Sequence, residues 1–363
     1  MIGNHCLPSI CFDNIVFDLQ KSGGISVVWY ELLRRMVYGN FFRIKYIDNN
    51  GGINPYRKKL DICGDAIIGV DKYIPIYRYL PVCIQNKEPF IFHSSYYRFC
   101  NNPNAINITT VHDFTYEYYR KGPAKWLHCW QKYQAVRRSQ YIVCISENTK
   151  RDLLRFVPDI DESKIRIIYN GVSDDYCVLD KSKNLNNIPF QKGSYIIFVG
   201  NRSGYKNFDF LKKTIAKSKY NLVIIGSPLS NEEVRDLEIY LPCERYYCTG
   251  FLPNKELNIL YNFAAALVYP SSYEGFGIPV VEAQKAGCPV IAYNSSSIPE
   301  VIGETPLLMN ELTERELLEK LKLLSDDELM KKVRSDGLEN AKRFSWDKMY
   351  CEYLKLYKEA LKI

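Results

Sequence analysis

Several features that would define other classes of protein are absent from this sequence. No apolar run reaches the eighteen or so residues that a transmembrane helix needs. The amino-terminal stretch MIGNHCLPSICFDN lacks the basic start and the apolar core of a secretory signal. These absences predict a protein that works in the cytoplasm.

The sequence also lacks the spacing patterns of disulfide frameworks and metal sites. It has 12 cysteines but no C-x-x-C pair, and only 4 histidines. The cysteines lie in apolar runs such as YIVCIS and YYCTGF, which favours reduced, mostly buried thiols over disulfides or a zinc site. No D-x-D pair follows a predicted strand, so no acidic metal site is expected there.

What is present indicates a globular protein of two domains. The chain has 363 residues, of which 47% are hydrophobic and 25% are charged. The net charge of +7 suits a phosphorylated substrate, an anionic membrane surface or weak contact with nucleic acid. No recognised DNA or RNA motif accompanies the basic residues, so nucleic acid is not expected as a partner.

Strand-like and helix-like segments alternate along the chain. The second half contains the apolar runs YIIFVG, NLVIIG, RYYCTGF, AALVYP and PVIAYN, and amphipathic helical patterns separate them. The first half is similar, with FRIKYID, FIFHSS, NITTVHD and YIVCIS. This alternation predicts an α/β fold with parallel, doubly wound sheets that are buried on both faces.

The domain boundaries follow from composition. A polar, Asn-rich stretch interrupted by Pro and Gly predicts a linker over 181–193. We expect an N-terminal domain over 1–180 and a C-terminal domain over 194–344. The remaining 345–363 is an amphipathic pattern, and we expect this helix to pack back on the N-terminal domain.

Ligands of parallel sheets bind beyond the carboxyl ends of the strands, so the loops that follow strands are the candidate sites. Arg202 and Lys206 follow YIIFVG, and Glu274 follows AALVYP. The cations suit an anionic ligand, and Glu274 and Glu282 could bracket one ligand by accepting from its hydroxyls. The alternative for Arg202 and Lys206 is that they are two surface cations. The alternative for the glutamates is that they complement a helix dipole, and this role explains Glu274 better than Glu282.

Two further candidate positions lie in the first half. Gly23 and Gly24 precede a predicted helix, where backbone amides could face an anion. His112 and Asp113 end the predicted strand NITTVHD. A lone histidine is more often structural than catalytic, but this one lies at the carboxyl end of its strand.

These motifs together resemble a known family. The stretch YPSSYEGFGIPVVEAQKAGCPVIAYNSSSIPEVIG is similar to the signature of the retaining glycosyltransferases of family 4, with its E-x7-E pair at Glu274 and Glu282. FVGNRSGYKNF resembles their diphosphate-binding loop, and GGIS and TVHD resemble their glycine loop and active-site histidine. The resemblance covers nearly the whole chain in order, although IGETPLLMN departs from the usual stretch near the nucleotide.

The resemblance implies a GT-B fold, in which two Rossmann-like domains face each other across a cleft. It implies transfer of a hexose from a nucleotide-sugar with retained anomeric configuration. Glu282 would bind the ribose and Glu274 the donor hexose. The implied catalytic residues are His112, Glu274, Arg202 and Lys206. The implied donor-binding residues are Gly23, Gly24, Arg202, Lys206, Glu274, Gly275, Phe276, Gly277, Ile278 and Glu282.

The same resemblance implies that no metal or further cofactor is needed, because Arg202, Lys206 and backbone amides would neutralise the diphosphate. The chain is similar in particular to bacterial O-antigen and capsule mannosyltransferases. GDP-mannose is therefore the first hypothesis for the donor, and a lipid-linked oligosaccharide is the expected acceptor. UDP-hexoses and GDP-fucose remain open. Two alternatives also remain, a nucleotide-sugar epimerase and a catalytically silent binding or adaptor protein on the same fold.

A basic and aromatic segment lies at 115–140. It has six Lys or Arg against one Glu, a local net charge of 6 − 1 = +5. Peripheral attachment to the inner face of the plasma membrane is one interpretation, because cations attract anionic lipids and Trp and Tyr prefer the headgroup zone. The alternative is that Trp126, Trp130 and Tyr133 pack into the core while Lys125, Lys132 and Arg137 form a solvated face. The other residues of this pattern are Tyr116, Glu117, Tyr118, Tyr119, Arg120, Lys121 and Arg138.

Overall fold

The computed structural model describes residues 7–21, 23–39, 41–49, 54–70, 74–180 and 188–363. The chain divides into two compact units. Unit 1 runs to Gly171 and also includes Trp346–Ile363, and unit 2 is Val172–Ser345. Residues 181–187 of the expected linker lie outside the described residues. The boundary between the units falls before that linker, so 172–180 belongs with unit 2.

Unit 1 is built on a seven-stranded parallel sheet in the order β3-β2-β1-β4-β5-β6-β7. The strands are β1 Ser9–Asp13, β2 Arg43–Asn49, β3 Ile67–Val70, β4 Phe90–Ser94, β5 Ala105–Val111, β6 Tyr141–Cys144 and β7 Ile165–Ile167. The helices are α1 Val16–Leu19, α2 Gly24–Tyr38, α3 Pro55–Lys58, α4 Ile74–Tyr77, α5 Thr115–Tyr119, α6 Pro123–Arg138 and α7 Glu147–Phe156.

Unit 2 is built on a six-stranded parallel sheet in the order β10-β9-β8-β11-β12-β13. The strands are β8 Tyr195–Val199, β9 Asn221–Ile225, β10 Tyr246–Gly250, β11 Ala266–Tyr269, β12 Val290–Tyr293 and β13 Leu308–Met309. The helices are α8 Phe208–Ala216, α9 Asn231–Glu238, α10 Asn254–Phe263, α11 Ile278–Lys285, α12 Ile298–Ile302, α13 Glu314–Leu323 and α14 Asp327–Ala341. The last helix of the chain, α15 Trp346–Leu361, belongs to unit 1.

Local sequence explains why these elements form where they do. All residues of β4 and β11 are buried, as expected for interior strands of parallel sheets, whose two faces are both covered by helices. Ser146 caps α7 by accepting from the Thr149 amide. Ser230 and Glu233 form a reciprocal capping box at the start of α9. The expected α/β class with two doubly wound sheets is therefore confirmed.

Strand β1 is an interior strand of the first sheet that was not among the predicted strands. Its sequence, SICFD, has only five residues and includes Ser9 and Asp13, so it lacks a long β-branched run. Pairing with β2 on one side and β4 on the other makes it a strand nonetheless. Strand propensity gave little signal here because neighbouring strands supply the hydrogen bonds and the burial.

Each sheet contains one point at which the strand order reverses direction. In unit 1 this point lies between β1 and β4, and in unit 2 it lies between β8 and β11. The connections leave the sheet in opposite directions there, which opens a crevice beyond the carboxyl ends of the two strands. The loop after β8 contains Arg202 and Lys206, and the loop after β11 contains Glu274, the first residue of the E-x7-E motif.

The basic segment 115–140 forms α5 and α6, and its tryptophans do not follow the alternative in which both pack inward. Trp126 is 77% exposed and Trp130 is 53% exposed. Lys132, expected on the solvated face, is instead buried in an ion pair with Glu117 at 2.9 Å. The core-packing interpretation is therefore wrong for the two tryptophans. Across the described part of the chain, no helix is both long enough and apolar enough to cross a bilayer.

A buried hydrogen-bond network connects α15 to the sheet of unit 1. The His93 Nδ1 atom lies 2.7 Å from the Tyr357 hydroxyl, and its Nε2 atom lies 2.9 Å from the Thr110 hydroxyl. Tyr353 contacts the same Thr110 hydroxyl at 3.0 Å. Burial lowers the pKa of His93 to about 3, so the ring is neutral at pH 7 and needs one donor and one acceptor as partners.

We expect Tyr357→Phe to lower the free energy of unfolding by about 1–3 kcal/mol, because one buried nitrogen of His93 loses its partner. Urea unfolding of the full chain measures this difference. Tyr350→Phe is the control, since Tyr350 lies on the same helix but is partly exposed. Equal stability of the Tyr357→Phe variant and the wild type would contradict a contribution of this network.

Candidate active site

The two motif-bearing loops of unit 2 are tied to each other. Asn207, at the start of α8, has a left-handed conformation with φ of 53°. Its side-chain amide donates to the Pro270 carbonyl at 2.8 Å and to the Ser272 hydroxyl at 2.7 Å. The Ser272 amide donates to the Tyr205 carbonyl at 2.8 Å. These bonds fix the loop after β8 against the loop after β11 at the switch point of the sheet.

An ion pair forms between these two loops. The Lys206 ammonium donates to the Glu274 carboxylate at 2.5 Å and to the Tyr269 hydroxyl at 3.3 Å. Both side chains are largely buried, with 11% of Lys206 and 14% of Glu274 exposed. Burial opposes the charge on Lys206, but Glu274, together with Tyr269 and Tyr205, outweighs it and raises the pKa of the ammonium. Lys206 is therefore a permanent cation at the mouth of the crevice.

The backbone of the Glu274 loop is fixed by two serines that follow β12. The Ser296 hydroxyl accepts from the Glu274 amide at 2.8 Å, and the Ser297 hydroxyl donates to the Glu274 carbonyl at 2.9 Å. Gly277 precedes α11 with φ of 95°, a conformation that favours glycine. A Cβ atom there would lie 2.8 Å from the Cδ1 atom of Ile298, so a side chain at this position would have to displace Ile298.

Glu282 occupies the second turn of α11 and is partly exposed. The Tyr261 hydroxyl lies 3.4 Å from its carboxylate, and Tyr176 also donates to it. Loss of solvent around the carboxyl raises its pKa to about 7, although the two tyrosine hydrogen bonds oppose the shift. The carboxyl group of Glu282 is therefore costly to ionise in this environment. Its position in the middle of α11 is not explained by a helix-capping role.

Arg202 has partners other than those that the sequence suggested. Its guanidinium makes a bidentate ion pair with Glu233 at 2.6 and 3.0 Å and donates to the carbonyls of Ser227 and Pro228. This hydrogen bonding lowers the pKa of Glu233 to about 2. Arg202 would have to exchange protein partners for phosphate oxygens in order to bind a diphosphate. Its role as a diphosphate ligand stays a prediction.

The candidate residues of unit 1 lie at the carboxyl edge of its own sheet. His112 follows β5 directly and is buried. Burial and the charge of Lys132 lower its pKa to about 4, against the opposing effect of Asp113. Gly23 precedes α2 and Gly24 begins it, in the connection that follows β1 and α1. Nothing lies within 4 Å of a Cβ atom placed on Gly24.

Three side chains of unit 1 have the chemistry of metal ligands, namely Glu117, His128 and Cys129. Their ligand atoms lie within 4.8 Å of one another, and all three residues are buried. The Lys132 ammonium already donates to the Glu117 carboxylate at 3.0 Å, and the Tyr116 ring stacks on His128 at 3.8 Å. A second cation beside Lys132 would be repelled, so an internal ion pair describes this group better than a metal site.

Several residues of the site escaped the sequence analysis. Tyr269 ends β11, and Ser296 and Ser297 follow β12, so the rule that ligands bind beyond strand ends would have drawn attention to them. Gly200, directly after β8, lies beside Lys206, whose Nζ atom would be 3.8 Å from a Cβ atom there. No sequence signal connects Tyr176 with Glu282, because the contact joins distant parts of the chain.

Family models match both halves of the chain. The model described as Glycosyltransferase Family 4 matches residues 22–176, and the model described as Glycosyl transferases group 1 matches residues 180–344. Together these two matches contain all of the candidate site residues. The first match covers β2 to β7 of the first sheet, and the second covers all six strands of the second sheet.

Among curated proteins, the O-antigen chain mannosyltransferase B of Escherichia coli is 24% identical over 69% of this chain and 70% of its own length. An uncharacterised protein of the cps region of Klebsiella pneumoniae is 38% identical over 42% of this chain and 43% of its own. The O-antigen chain mannosyltransferase RfbU of Salmonella typhimurium is 32% identical over 48% of each chain. The matches to the second and third relatives thus span less than half of their lengths.

Solved structures share the fold at low sequence identity. Sucrose-phosphate synthase from Thermosynechococcus elongatus superposes with a TM-score of 0.75 at 16% identity, over 98% of this chain and 99% of its own. HepE of Anabaena, solved in complex with UDP and glucose, superposes with a TM-score of 0.71 at 13% identity, over 96% of this chain and 98% of its own. Both family models and this shared architecture lead to one conclusion: the chain is a GT-B-fold member of glycosyltransferase family 4.

Proposed function

We propose that this protein is a retaining glycosyltransferase that moves a hexose from a nucleotide-sugar to a hydroxyl of a lipid-linked oligosaccharide. The observation that supports this most directly is the Lys206–Glu274 pair at the switch point of unit 2. It places a permanent cation, suited to a phosphate, next to a carboxylate, suited to sugar hydroxyls. Family membership supports the same reading of the site.

The reaction breaks the bond between the anomeric carbon and the β-phosphate oxygen and forms a bond from that carbon to the acceptor oxygen. Negative charge develops on the departing phosphate, and a fixed cation such as Lys206 stabilises it. The phosphate oxygen then takes the proton from the acceptor hydroxyl, so no separate base is required. In this scheme Glu274 holds the hexose, and the donor phosphates replace it as the partner of Lys206.

His112 enters the scheme as a neutral group. With a pKa near 4 it is uncharged at pH 7 and offers one donor and one acceptor. It would hydrogen-bond the hexose and not act as a cation. Glu282 would accept hydrogen bonds from the ribose hydroxyls. The amides of Gly275 to Gly277 would face the phosphates, and Phe276 and Ile278 would line the same part of the donor site.

The names of relatives support mannose as the transferred sugar. Mannosyltransferase B and RfbU are both named for O-antigen chains. GDP-mannose is therefore the donor to test first, and a lipid-linked O-antigen or capsule intermediate at the cytoplasmic face of the membrane is the acceptor class. The UDP in the HepE structure keeps UDP-sugars as the second group of donors to test.

Transfer of radiolabelled hexose tests the function. Purified protein is incubated with GDP-mannose, GDP-fucose or UDP-hexoses, with and without a lipid extract as acceptor, and in the presence and absence of EDTA. We expect transfer that needs the acceptor, retains the anomeric configuration by NMR and continues in EDTA. Conversion of donor alone to an isomer would indicate an epimerase, and binding without turnover would indicate a silent binding protein. Loss of transfer in EDTA that Mg²⁺ restores would contradict the metal-free scheme.

Lys206→Ala should lower the turnover number by roughly 10²-fold, the scale for losing one charge-stabilising group. Initial rates at saturating donor measure this effect. Lys219→Ala is the matched control, since Lys219 is an exposed lysine that precedes β9, at the opposite edge of the sheet from Lys206. Wild-type turnover in the Lys206→Ala variant would place the diphosphate elsewhere.

Glu282→Gln should weaken nucleotide binding and yet stabilise the fold at alkaline pH. The folded protein holds the Glu282 proton with a pKa of about 7, above the ordinary 4.5, so ionisation costs stability as the pH rises through that interval. The glutamine variant avoids this cost. Its advantage in free energy of unfolding should be absent near pH 4, grow with pH and level off above 7.

Chemical denaturation at several pH values and calorimetric titration with the nucleotide measure the two effects. Glu256→Gln, an exposed change on α10, should leave both unchanged. A Glu282→Gln variant with unaltered nucleotide affinity would remove Glu282 from the donor site. Parallel stability curves for the variant and the wild type would contradict the raised pKa.

A further inference from the structure

Helices α5 and α6 sort their side chains into an inward half and an outward half. The inward half contains the buried pair of Lys132 and Glu117 and the stack of Tyr116 on His128. Lys132 also lies 4.3 Å from the centre of the Phe114 ring. The Lys132–Glu117 ion pair lies inside unit 1, where both side chains are buried. The single acidic residue of the segment is therefore removed from the surface.

The outward half presents large apolar side chains to solvent. Trp126 and Trp130 are one helical turn apart on α6, and they are 77% and 53% exposed. Leu127 beside them is 42% exposed, and Tyr119 at the end of α5 is 43% exposed. Tryptophan is seldom so exposed without a function, because burying its ring stabilises a fold considerably.

Cations surround this apolar cluster. Arg120 and Lys121 are exposed in the turn between α5 and α6, next to Tyr119. Arg137 lies two turns beyond Trp130 on the same face of α6, and Arg138 follows it, also exposed. Arg137 pairs with Asp159 in solvent, which reduces its contribution, whereas Glu117 is buried and offsets none of the outward charge. Aromatic rings flanked by cations suit an anionic interface.

We infer that a docking surface formed by Tyr119, Arg120, Lys121, Trp126, Leu127 and Trp130 binds an anionic lipid bilayer. The rings enter the headgroup region, where Trp and Tyr are favoured, and the cations contact the anionic phosphates. This inference rests on the proposed function, because a lipid-linked acceptor requires an enzyme at the membrane surface. The inference narrows the proposed membrane-binding region from the whole of segment 115–140 to one face of α5 and α6.

The docking surface is connected to the candidate active site within unit 1. Helix α5 begins three residues after His112, and the Lys132 ammonium of α6 donates to the Asp113 carbonyl at 2.8 Å. The Lys125 ammonium donates to the Glu117 carbonyl at 2.6 Å, which ties α6 to α5. Docking would therefore bring the histidine loop and the lipid that carries the acceptor to the same side of unit 1.

Cosedimentation of the full chain with vesicles tests the inference. One set of vesicles contains phosphatidylglycerol, and the other is pure phosphatidylcholine, each at low and high salt. We expect binding to the anionic vesicles that salt weakens. Arg120→Gln/Lys121→Gln should lower the partition coefficient roughly tenfold or more on anionic vesicles. Trp126→Ala/Trp130→Ala should lower it at both salt concentrations.

The matched control is Ile239→Ala/Phe251→Ala, which removes two equally exposed apolar side chains from unit 2, each 72% exposed. This variant should bind vesicles as the wild type does. Absence of wild-type binding, or unchanged binding of the Trp126→Ala/Trp130→Ala variant, would overturn the inference. So would a dimer in sedimentation equilibrium that this tryptophan variant abolishes, since the face would then join two copies of the chain.

Calorimetry with GDP-mannose and a UDP-hexose separates this inference from the proposed function. Nucleotide-sugar binding without vesicle binding would remove the docking surface and leave the transferase proposal intact. Vesicle binding without affinity for any nucleotide-sugar would do the reverse. The Trp126→Ala/Trp130→Ala variant should keep wild-type affinity for the donor, because both tryptophans face solvent and neither is a candidate donor-binding residue.

Discussion

The ion pair of Lys206 and Glu274 is the contact on which the candidate site depends. It joins two loops that are 68 residues apart in sequence and that follow adjacent strands. Both groups are largely buried, so removing either one would leave an unpaired charge at high cost. Before any donor binds, each charge keeps the other in place. Exchange of the partners for phosphate and sugar would then need little rearrangement, which is the advantage of a preorganised site.

The polarity of the parallel sheets brings these loops together. All strands of unit 2 end at one edge, and the order reverses between β8 and β11, where Lys206 and Glu274 follow. Two glycines allow the strand ends to approach each other. Gly226 has φ of 147°, and a Cβ atom there would lie 2.6 Å from the Gly200 carbonyl oxygen. A larger residue at 226 would push β9 away from the loop that holds Lys206.

Loss of solvent shifts pKa values in both units, upward for a carboxyl group and downward for an imidazole. It raises the pKa of Glu282 to about 7 and lowers that of His112 to about 4. Lys206 resists the same effect because Glu274 lies 2.5 Å away. Of Glu282, His112 and Lys206, only Lys206 therefore carries a full charge that does not change with pH near neutrality. Lys206 is also the group that suits a diphosphate.

The sequence by itself determined the alternation of strands and helices, and hence the α/β class. It also indicated the loops that hold Lys206 and Glu274, because the loops after parallel strands meet at one edge of the sheet. Tertiary structure alone decided the partners. Arg202 pairs with Glu233, and Tyr176 reaches Glu282, through contacts between segments whose separation no local pattern encodes. Tertiary structure decided also that Trp126 and Trp130 face solvent while Lys132 is buried. Lys132 can be buried because Glu117 pairs with its charge.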